Sequence, residues 1–324
     1  MKALVTGANG FLGAWLVRLL LERGHGVRGL VRPGRALGAL AGLGIEEARG
    51  DVTDPESLAR AVEGCDWVFH LAGVRRAPRG EDFMRVNAEA TRTLLEACLE
   101  AAPALKRFVL AGSLAAAGPS REGRREEEGF APTEWYGKSK AEAERIALSF
   151  ADRLPVSVAR PPRIIGPGDR ENLVFFKLAK AGVVLTFSGP PRPLSFVDVE
   201  DCARGFLVLA EHPEAAGQSF FLASPERTDL ESLQLEVARA LGVRPRKVRL
   251  GPSILRAAAA VADVVSLVTG ARLPLNRKLA AQLLAPGWTC DPAKARRVLG
   301  FEAGVSLGQS VARTARWYKE QGWL

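Results

Sequence analysis

The chain has 324 residues, 47% of them hydrophobic and 25% charged, which excludes a disordered chain and indicates a globular protein with a large core. At a length above about 250 residues, a core divided between two domains is favoured. The formal net charge is +9, but basic and acidic residues are interleaved, as at 121–128, and the chain has no nucleic-acid motif, so we expect a basic, solvated surface and no nucleic-acid partner.

The first half of the chain alternates short apolar runs with helical patterns. Strands are predicted at 2–5, 27–31, 67–71, 107–111 and 156–159, and helices at 11–23, 81–100 and 135–150. This alternation is typical of a parallel sheet with helices on both faces. Beyond Arg160 proline and glycine become frequent, and short strands are predicted at 219–222 and 247–250. The pattern predicts one domain at 1–160 and a smaller one at 161–324, some segments of which can return to the first sheet.

The segment from Thr6 to Gly13 joins the first strand to the first helix. Gly7 permits a tight turn, Gly10 lets the backbone approach a pyrophosphate, and Gly13 allows the helix to pack closely on the strand. The helix N-terminus then offers N–H groups and a positive dipole end to phosphate groups. Because the glycines stand in this context, the pattern predicts a nucleotide site and not a plain turn. The candidate contacts are Gly7, Asn9, Gly10, Phe11, Leu12 and Gly13.

The residues after the second strand bear on the choice of cofactor. A carboxylate there hydrogen-bonds the ribose of NAD, whereas this chain has Val31 followed by Arg32. A guanidinium forms charge-assisted hydrogen bonds with a 2′-phosphate. We therefore expect NADP(H), bound in part by Arg32. NAD(H) is the alternative if that arginine is only a solvent-exposed side chain.

Two further strand ends border the predicted cofactor site. Asp51 ends the third strand, where its carboxylate either accepts a hydrogen bond from the adenine amino group or belongs to a turn. The small residues that end the fourth strand leave room for backbone beside the cofactor, and the preceding His70 is interpreted as structural. The candidate contacts at these strand ends are Asp51, Val52, Leu71, Ala72 and Gly73.

Tyr136 and Lys140 stand four residues apart and therefore on one face of a helix. An ammonium group beside a phenol favours the phenolate, which makes the tyrosine usable as an acid or base near neutral pH. Ser113, at the end of the fifth strand, is placed to hydrogen-bond a substrate oxygen. The same tyrosine–lysine spacing also occurs by chance on helices, so a surface pair is the alternative from spacing alone.

These segments together resemble the extended short-chain dehydrogenase/reductase family, also called the NAD-dependent epimerase/dehydratase family. Beyond the segments above, the resemblance is carried along essentially the whole chain by Asn87, Gly112-Ser113, Arg160-Pro161, Gly166-Pro167-Gly168 and the segment 196–201. It implies an α/β fold in which residues 1–160 form a Rossmann-type, doubly wound parallel sheet that binds NAD(P). A smaller C-terminal α/β subdomain would bind the substrate. It also implies a homodimer formed through helices that include the one carrying Tyr136.

The resemblance implies roles for individual residues as well. Ser113 corresponds to the catalytic serine, Tyr136 to the proton donor or acceptor, and Lys140 to a residue that also binds the nicotinamide ribose. Asn87 corresponds to a structural partner near the active site. The further cofactor contacts are Tyr136, Lys140, Pro161 and Arg163.

Differences from the sugar-nucleotide members favour the reductase branches. Dehydratases of the family follow the catalytic hydroxyl with an Asp-Glu pair, for which this chain has Leu114 and Ala115, so the acid–base pair for elimination is missing. The second strand resembles that of dihydroflavonol-reductase-like members, and the C-terminal segments resemble 3β-hydroxysteroid-dehydrogenase-like members. We expect NAD(P)H-dependent interconversion of a ketone or aldehyde with an alcohol on an apolar small molecule, with Tyr136 as acid–base. The alternatives are a nucleotide-sugar epimerase that retains NAD and a non-catalytic dinucleotide-binding scaffold.

The segment from Ile254 to Val268 is markedly apolar. It contains Arg256 and Asp263 and is shorter than the ~20 residues that a membrane span requires. We therefore expect no membrane span, and a buried amphipathic helix or substrate-pocket wall is favoured over a membrane contact.

Cysteine and histidine usage gives no sign of a metal site. The four cysteines lie far apart without a C-x-x-C pair, and the three histidines form no H-E-x-x-H. We expect no metal and no disulfide framework, which suits a reducing compartment. A strand begins at Lys2 and leaves no room for a signal peptide, so a cytoplasmic location is expected.

Overall fold

The computed structural model describes residues 1–269 and 276–324, with residues 267–269 described by their backbone alone. The strands are β1 (Lys2–Thr6), β2 (Gly26–Val31), β3 (Glu46–Arg49), β4 (Trp67–His70), β5 (Arg107–Ala111), β6 (Ser120–Arg124), β7 (Val156–Ala159), β8 (Arg163–Ile165), β9 (Val183–Phe187), β10 (Pro193–Asp198), β11 (Gln218–Phe220), β12 (Arg227–Asp229), β13 (Arg246–Leu250) and β14 (Trp288–Cys290). The α-helices are α1 (Phe11–Glu22), α2 (Pro55–Val62), α3 (Gly80–Phe83), α4 (Ala90–Ala101), α5 (Leu114–Ala117), α6 (Trp135–Ser149), α7 (Leu173–Lys180), α8 (Val199–Glu211), α9 (Leu230–Leu241), α10 (Pro252–Thr269), α11 (Arg277–Leu284), α12 (Ala293–Leu299) and α13 (Leu307–Glu320).

The described strands form a seven-stranded parallel sheet in the order β3-β2-β1-β4-β5-β7-β11. Alternate residues of β1 pack on opposite faces of this sheet. Ala3 and Val5 belong to an apolar cluster with α1 and α8, whereas Leu4 belongs to a second cluster with α2, α4 and α6. Because both faces are covered, the inner strands β1, β4, β5 and β7 are almost entirely buried, whereas the edge strand β3 is largely exposed. The order and the two helical layers confirm the predicted Rossmann-type, doubly wound sheet.

A second sheet has the order β12-β10-β14-β6, with β8 paired to β10. Strand β6 lies in this sheet although it precedes residue 160, and β11 lies in the central sheet although it follows that residue. The chain therefore crosses between the two sheets in both directions. Strands β9 and β13 form a separate parallel pair.

The helix predicted at 81–100 is present, but it contains a π-helical turn that was not predicted. Helix α3 ends at Phe83, a π-helical turn follows at Met84–Glu89, and α4 begins at Ala90. The π-helical turn carries Asn87, which is 1% exposed and is hydrogen-bonded to the loop after β4. A helical pattern of apolar residues does not distinguish such a turn from a regular α-helix, because it adds only one residue to the spacing.

The apolar segment 254–268 lies within α10, although the side chains of its last two residues are outside the described part of the chain. The prediction of a buried amphipathic helix does not hold for one face, which is apolar and yet exposed, with Ile254 and Val261 each 62% exposed. The opposite face packs against α11. Among the described helices none is long and apolar enough to cross a bilayer.

Candidate active site

The loop between β1 and α1 lies at the carboxyl end of the central sheet. Gly7 has a φ of 68°, and a Cβ atom there would lie 2.8 Å from the backbone nitrogen of Ala72. A Cβ atom on Gly13 would lie 2.2 Å from the carbonyl oxygen of Gly7. Both approaches require glycine. Gly10 precedes α1 without a side-chain acceptor, so the first N–H groups of the helix are available to an anion such as a pyrophosphate.

The Gly-Pro-Gly segment at 166–168 lies against side chains of the first two turns of α1. A Cβ atom on Gly168 would lie 3.5 Å from the ring of Phe11. The indole N–H of Trp15 donates a hydrogen bond to the carbonyl of Pro167 at 3.0 Å. The side chain of Leu12 packs into the core instead. The segment is therefore held against the first helix by these contacts.

The segment after β2 runs beside the same loop. The side-chain amide of Asn9 donates a hydrogen bond to the carbonyl of Ala36 at 3.1 Å, which ties the two segments together. Arg32 directly follows β2, and its side chain is exposed. Within residues 1–269 and 276–324 it forms no ion pair. Its guanidinium is thus free to meet an anionic group at this edge of the sheet.

Asp51 lies beside Arg32, after β3. Its Oδ1 accepts hydrogen bonds from the backbone N–H of Thr53 at 3.0 Å and from the hydroxyl of Thr53 at 2.8 Å, which is a turn motif. Partial burial acts to raise the pKa of Asp51, but these hydrogen bonds and the charges of Arg32 and Arg85 hold it below its usual value. Asp51 therefore belongs to a turn, and its contact with the adenine amino group stays a prediction. The neighbouring Val52 is buried in the core.

Thr6 and His70 hold the loop that follows β4. The hydroxyl oxygen of Thr6 accepts a hydrogen bond from the backbone N–H of Ala72 at 3.1 Å and lies 2.8 Å from Nδ1 of His70. His70 is 1% exposed, and its Nε2 has no hydrogen-bond partner among the described residues. Burial, and to a smaller extent the charge of Lys140, lowers the pKa of His70 to about 3. The imidazole is therefore neutral, as a structural histidine requires.

This buried, neutral imidazole predicts a pH dependence of stability. The unfolded chain protonates His70 near pH 6.5, whereas the folded chain does so only near pH 3. Between these values the unfolded state binds more protons, so the free energy of unfolding falls as the pH falls, by up to about 1.4 kcal/mol per pH unit. We expect His70→Asn to lose this contribution when urea denaturation of both proteins is compared at about pH 7.5 and about pH 5. Equal pH dependence in variant and wild type would contradict the assignment.

Asn87 joins the loop after β4 to the helix α6. Its Oδ1 accepts a hydrogen bond from the N–H of Val74 at 2.8 Å, and its Nδ2 donates to the carbonyl of Val74 at 3.0 Å and to the hydroxyl of Ser139 at 2.9 Å. The Ser139 hydroxyl in turn donates to the carbonyl of Tyr136 at 2.9 Å. One buried amide therefore positions the backbone on both sides of the site.

Tyr136 and Lys140 lie on successive turns of α6. Lys140 is 5% exposed, and its Nζ donates a hydrogen bond to the carbonyl of Ala111, the last residue of β5, at 2.7 Å. Burial lowers the pKa of Lys140, and the phenol of Tyr136 acts in the opposite direction. A Cβ atom on Gly73 would lie 3.4 Å from Nζ of Lys140, so the loop after β4 passes directly against the ammonium group.

The helix that Ser113 caps, α5, packs closely against the start of α6, which carries Tyr136. Ser113 follows β5 and caps α5, where its hydroxyl accepts a hydrogen bond from the N–H of Ala115 at 3.1 Å. A Cβ atom on Gly137 would lie 2.4 Å from the carbonyl oxygen of Ala115, so only glycine permits this approach. Gly137 is not among the predicted site residues, although a glycine inside a helix next to Tyr136 is a signal for close packing.

Pro161 and Arg163 lie on the segment that follows β7. The carbonyl of Pro161 accepts a hydrogen bond from the N–H of Leu114 at 3.0 Å, which places it beside the serine loop. Arg163 begins β8, donates to Oδ1 of Asn172 at 2.5 Å and lies over the ring of Phe175. Burial lowers the pKa of Arg163. Its contacts are with the C-terminal half of the chain, and its contact with a cofactor stays a prediction.

Two charged groups lie beside Tyr136 whose contacts could not be predicted from the local sequence. The guanidinium carbon of Arg75 lies 5.7 Å from the centroid of the Tyr136 ring. Glu134, just before α6, accepts a hydrogen bond from Gln282 of α11. Burial raises the pKa of Glu134, and this hydrogen bond opposes the shift. Both contacts join residues that are far apart in the sequence.

Comparison with known proteins assigns the class of this fold and site. The model of the NAD dependent epimerase/dehydratase family matches residues 3–223, and the chain belongs to this family, the extended short-chain dehydrogenases/reductases. It is 32% identical over 321 residues to the ceramide reductase of Caulobacter vibrioides, covering 99% of this chain and 95% of the relative. It is 30% identical over 337 residues to the 3 beta-hydroxysteroid dehydrogenase/Delta 5→4-isomerase of Mycobacterium tuberculosis, covering 98% and 90%. The structure of MoeE5 in complex with UDP-glucuronic acid and NAD superposes with a TM-score of 0.78 at 25% identity, covering 99% and 100%.

Membership of the family confirms that the chain is an enzyme and an oxidoreductase. A nicotinamide dinucleotide is the expected cofactor of this family. The residues present fit a dinucleotide. A Cβ atom at Gly7 or Gly13 would fill the space at the loop, and the first N–H groups of α1 have no side-chain cap. The roles of the individual contact residues stay predictions.

Proposed function

We propose that the chain is a reductase that interconverts a ketone or aldehyde with the corresponding alcohol on an apolar small molecule. The observation that carries the proposal is the arrangement around Tyr136, with buried Lys140 one turn further along α6 and Ser113 on the adjoining helix start. Leu114 and Ala115 follow the serine and offer no acid–base pair for elimination. The relatives named for ceramide and hydroxysteroid substrates support an apolar substrate.

In the proposed reaction, the hydroxyls of Ser113 and Tyr136 hydrogen-bond the carbonyl oxygen and orient it. A bound dihydronicotinamide supplies the hydride. The phenol of Tyr136 donates the proton to the oxygen, and the ammonium group of Lys140 stabilises the phenolate that remains. The hydrogen bond from Lys140 to the carbonyl of Ala111 holds that charge in place. The same groups act in reverse order in alcohol oxidation.

The test is to titrate the purified protein with NADPH and NADH and then follow nicotinamide absorbance with apolar ketones, apolar aldehydes and nucleotide sugars. We expect net oxidation of the cofactor with an apolar carbonyl compound. Interconversion of a nucleotide sugar without net absorbance change, by protein that retains NAD on purification, would favour the epimerase alternative. Cofactor binding without turnover of any of these compounds would contradict the proposed substrate class.

We further propose that NADP(H) is the preferred cofactor, because Arg32 is exposed at the predicted ribose end of the site and Val31 stands where NAD-specific members carry a carboxylate. Arg32→Gln is expected to weaken NADPH binding by about 10-fold or more, since a charge-assisted hydrogen bond to the 2′-phosphate is lost. NADH has no such phosphate and serves as the matched control in the same fluorescence titration. Equal weakening for both cofactors would show that Arg32 does not select between them.

A further inference from the structure

One face of helix α10 is both apolar and exposed. Ile254, Val261 and Val264 are 62%, 62% and 55% exposed, and Ala257 and Ala258 between them are exposed as well. At about 100° per residue, these positions occupy an arc of roughly 120°. Single exposed apolar side chains are ordinary on protein surfaces, but a continuous stripe marks an interaction surface. We call these five residues the α10 stripe.

The opposite face of α10 packs against the rest of the protein. Leu255 and Ala259 are buried against Ala280 of α11. Oδ2 of Asp263 accepts a hydrogen bond from the backbone N–H of Arg277 at 3.2 Å and lies 3.8 Å from the guanidinium of the same residue. The helix is therefore anchored on one side and directs the α10 stripe outward.

The surroundings of the α10 stripe are strongly basic. The described residues 243–269 and 276–285 contain seven basic residues and one acidic residue, so much of the net charge of +9 arises in this part of the chain. The acidic residue is Asp263, which is already paired. Strand β13 leads directly into α10 and exposes Arg246, Arg249 and Lys247, the last of which is paired with Glu231 of α9 at 2.7 Å. In the part of the chain that the structure describes, neither arginine of this strand forms an ion pair.

A cavity of about 450 Å³ lies between α10 and α11. Its lining consists of Arg256, Arg277, Ala280, Ala281 and Leu284. Two guanidinium groups above small apolar side chains suit an amphiphile with an anionic headgroup. The next residue along α11, Gln282, hydrogen-bonds Glu134 at the start of the helix that carries Tyr136. One helix therefore links this basic, apolar surface to the catalytic helix.

We propose that the α10 stripe and the basic residues around it bind the surface of a bilayer that contains anionic phospholipid. The helix lies in the plane of the interface, with Ile254, Val261 and Val264 at the level of the acyl chains and the neighbouring arginines at the phosphate headgroups. Apolar burial and charge attraction together provide the two contributions that a stable but reversible attachment requires. The attachment is independent of the proposed reaction and of the cofactor.

Flotation of the full chain with lipid vesicles tests the proposal. We expect binding to vesicles of phosphatidylcholine mixed with phosphatidylglycerol, much weaker binding to phosphatidylcholine alone, and release as the salt concentration is raised. Neutralising two charges, in the double variant Arg246→Gln and Arg249→Gln, is expected to lower partitioning by about 30-fold. Absence of binding to the mixed vesicles would overturn the proposal.

A second pair of variants tests the α10 stripe itself. The double variant Val261→Glu and Val264→Glu is expected to lower partitioning by about 10²-fold. The matched control is Val174→Glu, at a valine of α7 that is 48% exposed, and it should bind vesicles as the wild type does. The arginine variant keeps the test decisive if the glutamate variant fails to fold. If the glutamate variant retains vesicle binding and light scattering shows an oligomer converted to a monomer, the α10 stripe joins copies of the chain and the proposal is wrong.

Discussion

Replacing Tyr136 with phenylalanine is expected to lower kcat by about 10³-fold and to leave cofactor binding largely intact. The substitution removes the proposed proton donor and keeps the ring that lies beneath Arg75. Lys140 retains its hydrogen bond to the carbonyl of Ala111 at 2.7 Å, so the neighbouring groups stay in place. Steady-state turnover gives the loss in kcat, and fluorescence titration with NADPH gives the affinity.

The matched control for this variant is Tyr318→Phe, because Tyr318 is the other of the two tyrosines in the chain. Its side chain is fully buried, and its hydroxyl donates to the carbonyl of Asp169. Removing that hydroxyl is expected to lower the free energy of unfolding by about 1 kcal/mol and to leave kcat as it is. Turnover retained in Tyr136→Phe, or equal losses of kcat in the two variants, would contradict the proposed role of Tyr136.

Replacing Glu144 with glutamine is expected to lower the free energy of unfolding by about 3–5 kcal/mol. Glu144 is 0% exposed on α6, and its carboxylate lies 2.7 Å from the guanidinium of Arg160, which is 3% exposed at the end of β7. Ser219 of β11 donates a further hydrogen bond to the same carboxylate. The neutral amide would leave the guanidinium buried without its counter-charge, which is far costlier than losing an exposed pair. Urea denaturation at neutral pH measures the effect.

The same helix supplies a matched control for the Glu144 variant. Glu142 and Arg145 form an exposed ion pair at 3.0 Å, and Glu142→Gln is expected to cost no more than about 0.5 kcal/mol. Replacing both Glu144 and Arg160 with methionine should be less destabilising than Glu144→Gln alone, because no unpaired charge is then buried. If Glu144→Gln costs no more than Glu142→Gln, the buried pair does not stabilise the junction between α6 and the central sheet.

Several parts of the fold and site could be predicted because they depend on short spacings. The order of apolar runs and helical patterns predicted the parallel sheet, since strands such as β1 are buried on both faces. The glycines from Gly7 to Gly13 predicted a strand–turn–helix loop, and the structure shows the close approaches that exclude other side chains there. The spacing of Tyr136 and Lys140 predicted that they share one face of a helix, which is where α6 places them.

Other parts could not be predicted because they depend on contacts between distant segments. The π-helical turn at Met84–Glu89 exists where the side chain of Asn87 bonds the loop after β4. Gly137 matters only because α5 passes against α6 at that point. Gln282 reaches Glu134 across more than a hundred residues of sequence. None of these contacts leaves a periodic signal in the local sequence.

The sequence by itself determined the family, the parallel sheet, the glycine loop and the tyrosine–lysine pair, because the geometry of strands, turns and helices converts short spacings directly into positions. The tertiary structure alone decided which of the apolar surfaces are covered. An apolar helical pattern is the same whether one face or both are packed, so the segment 254–268 was expected to be buried. Among the described residues, neighbours cover one side of α10 and leave the other exposed, because burial depends on where distant elements pack and not on the composition of the helix.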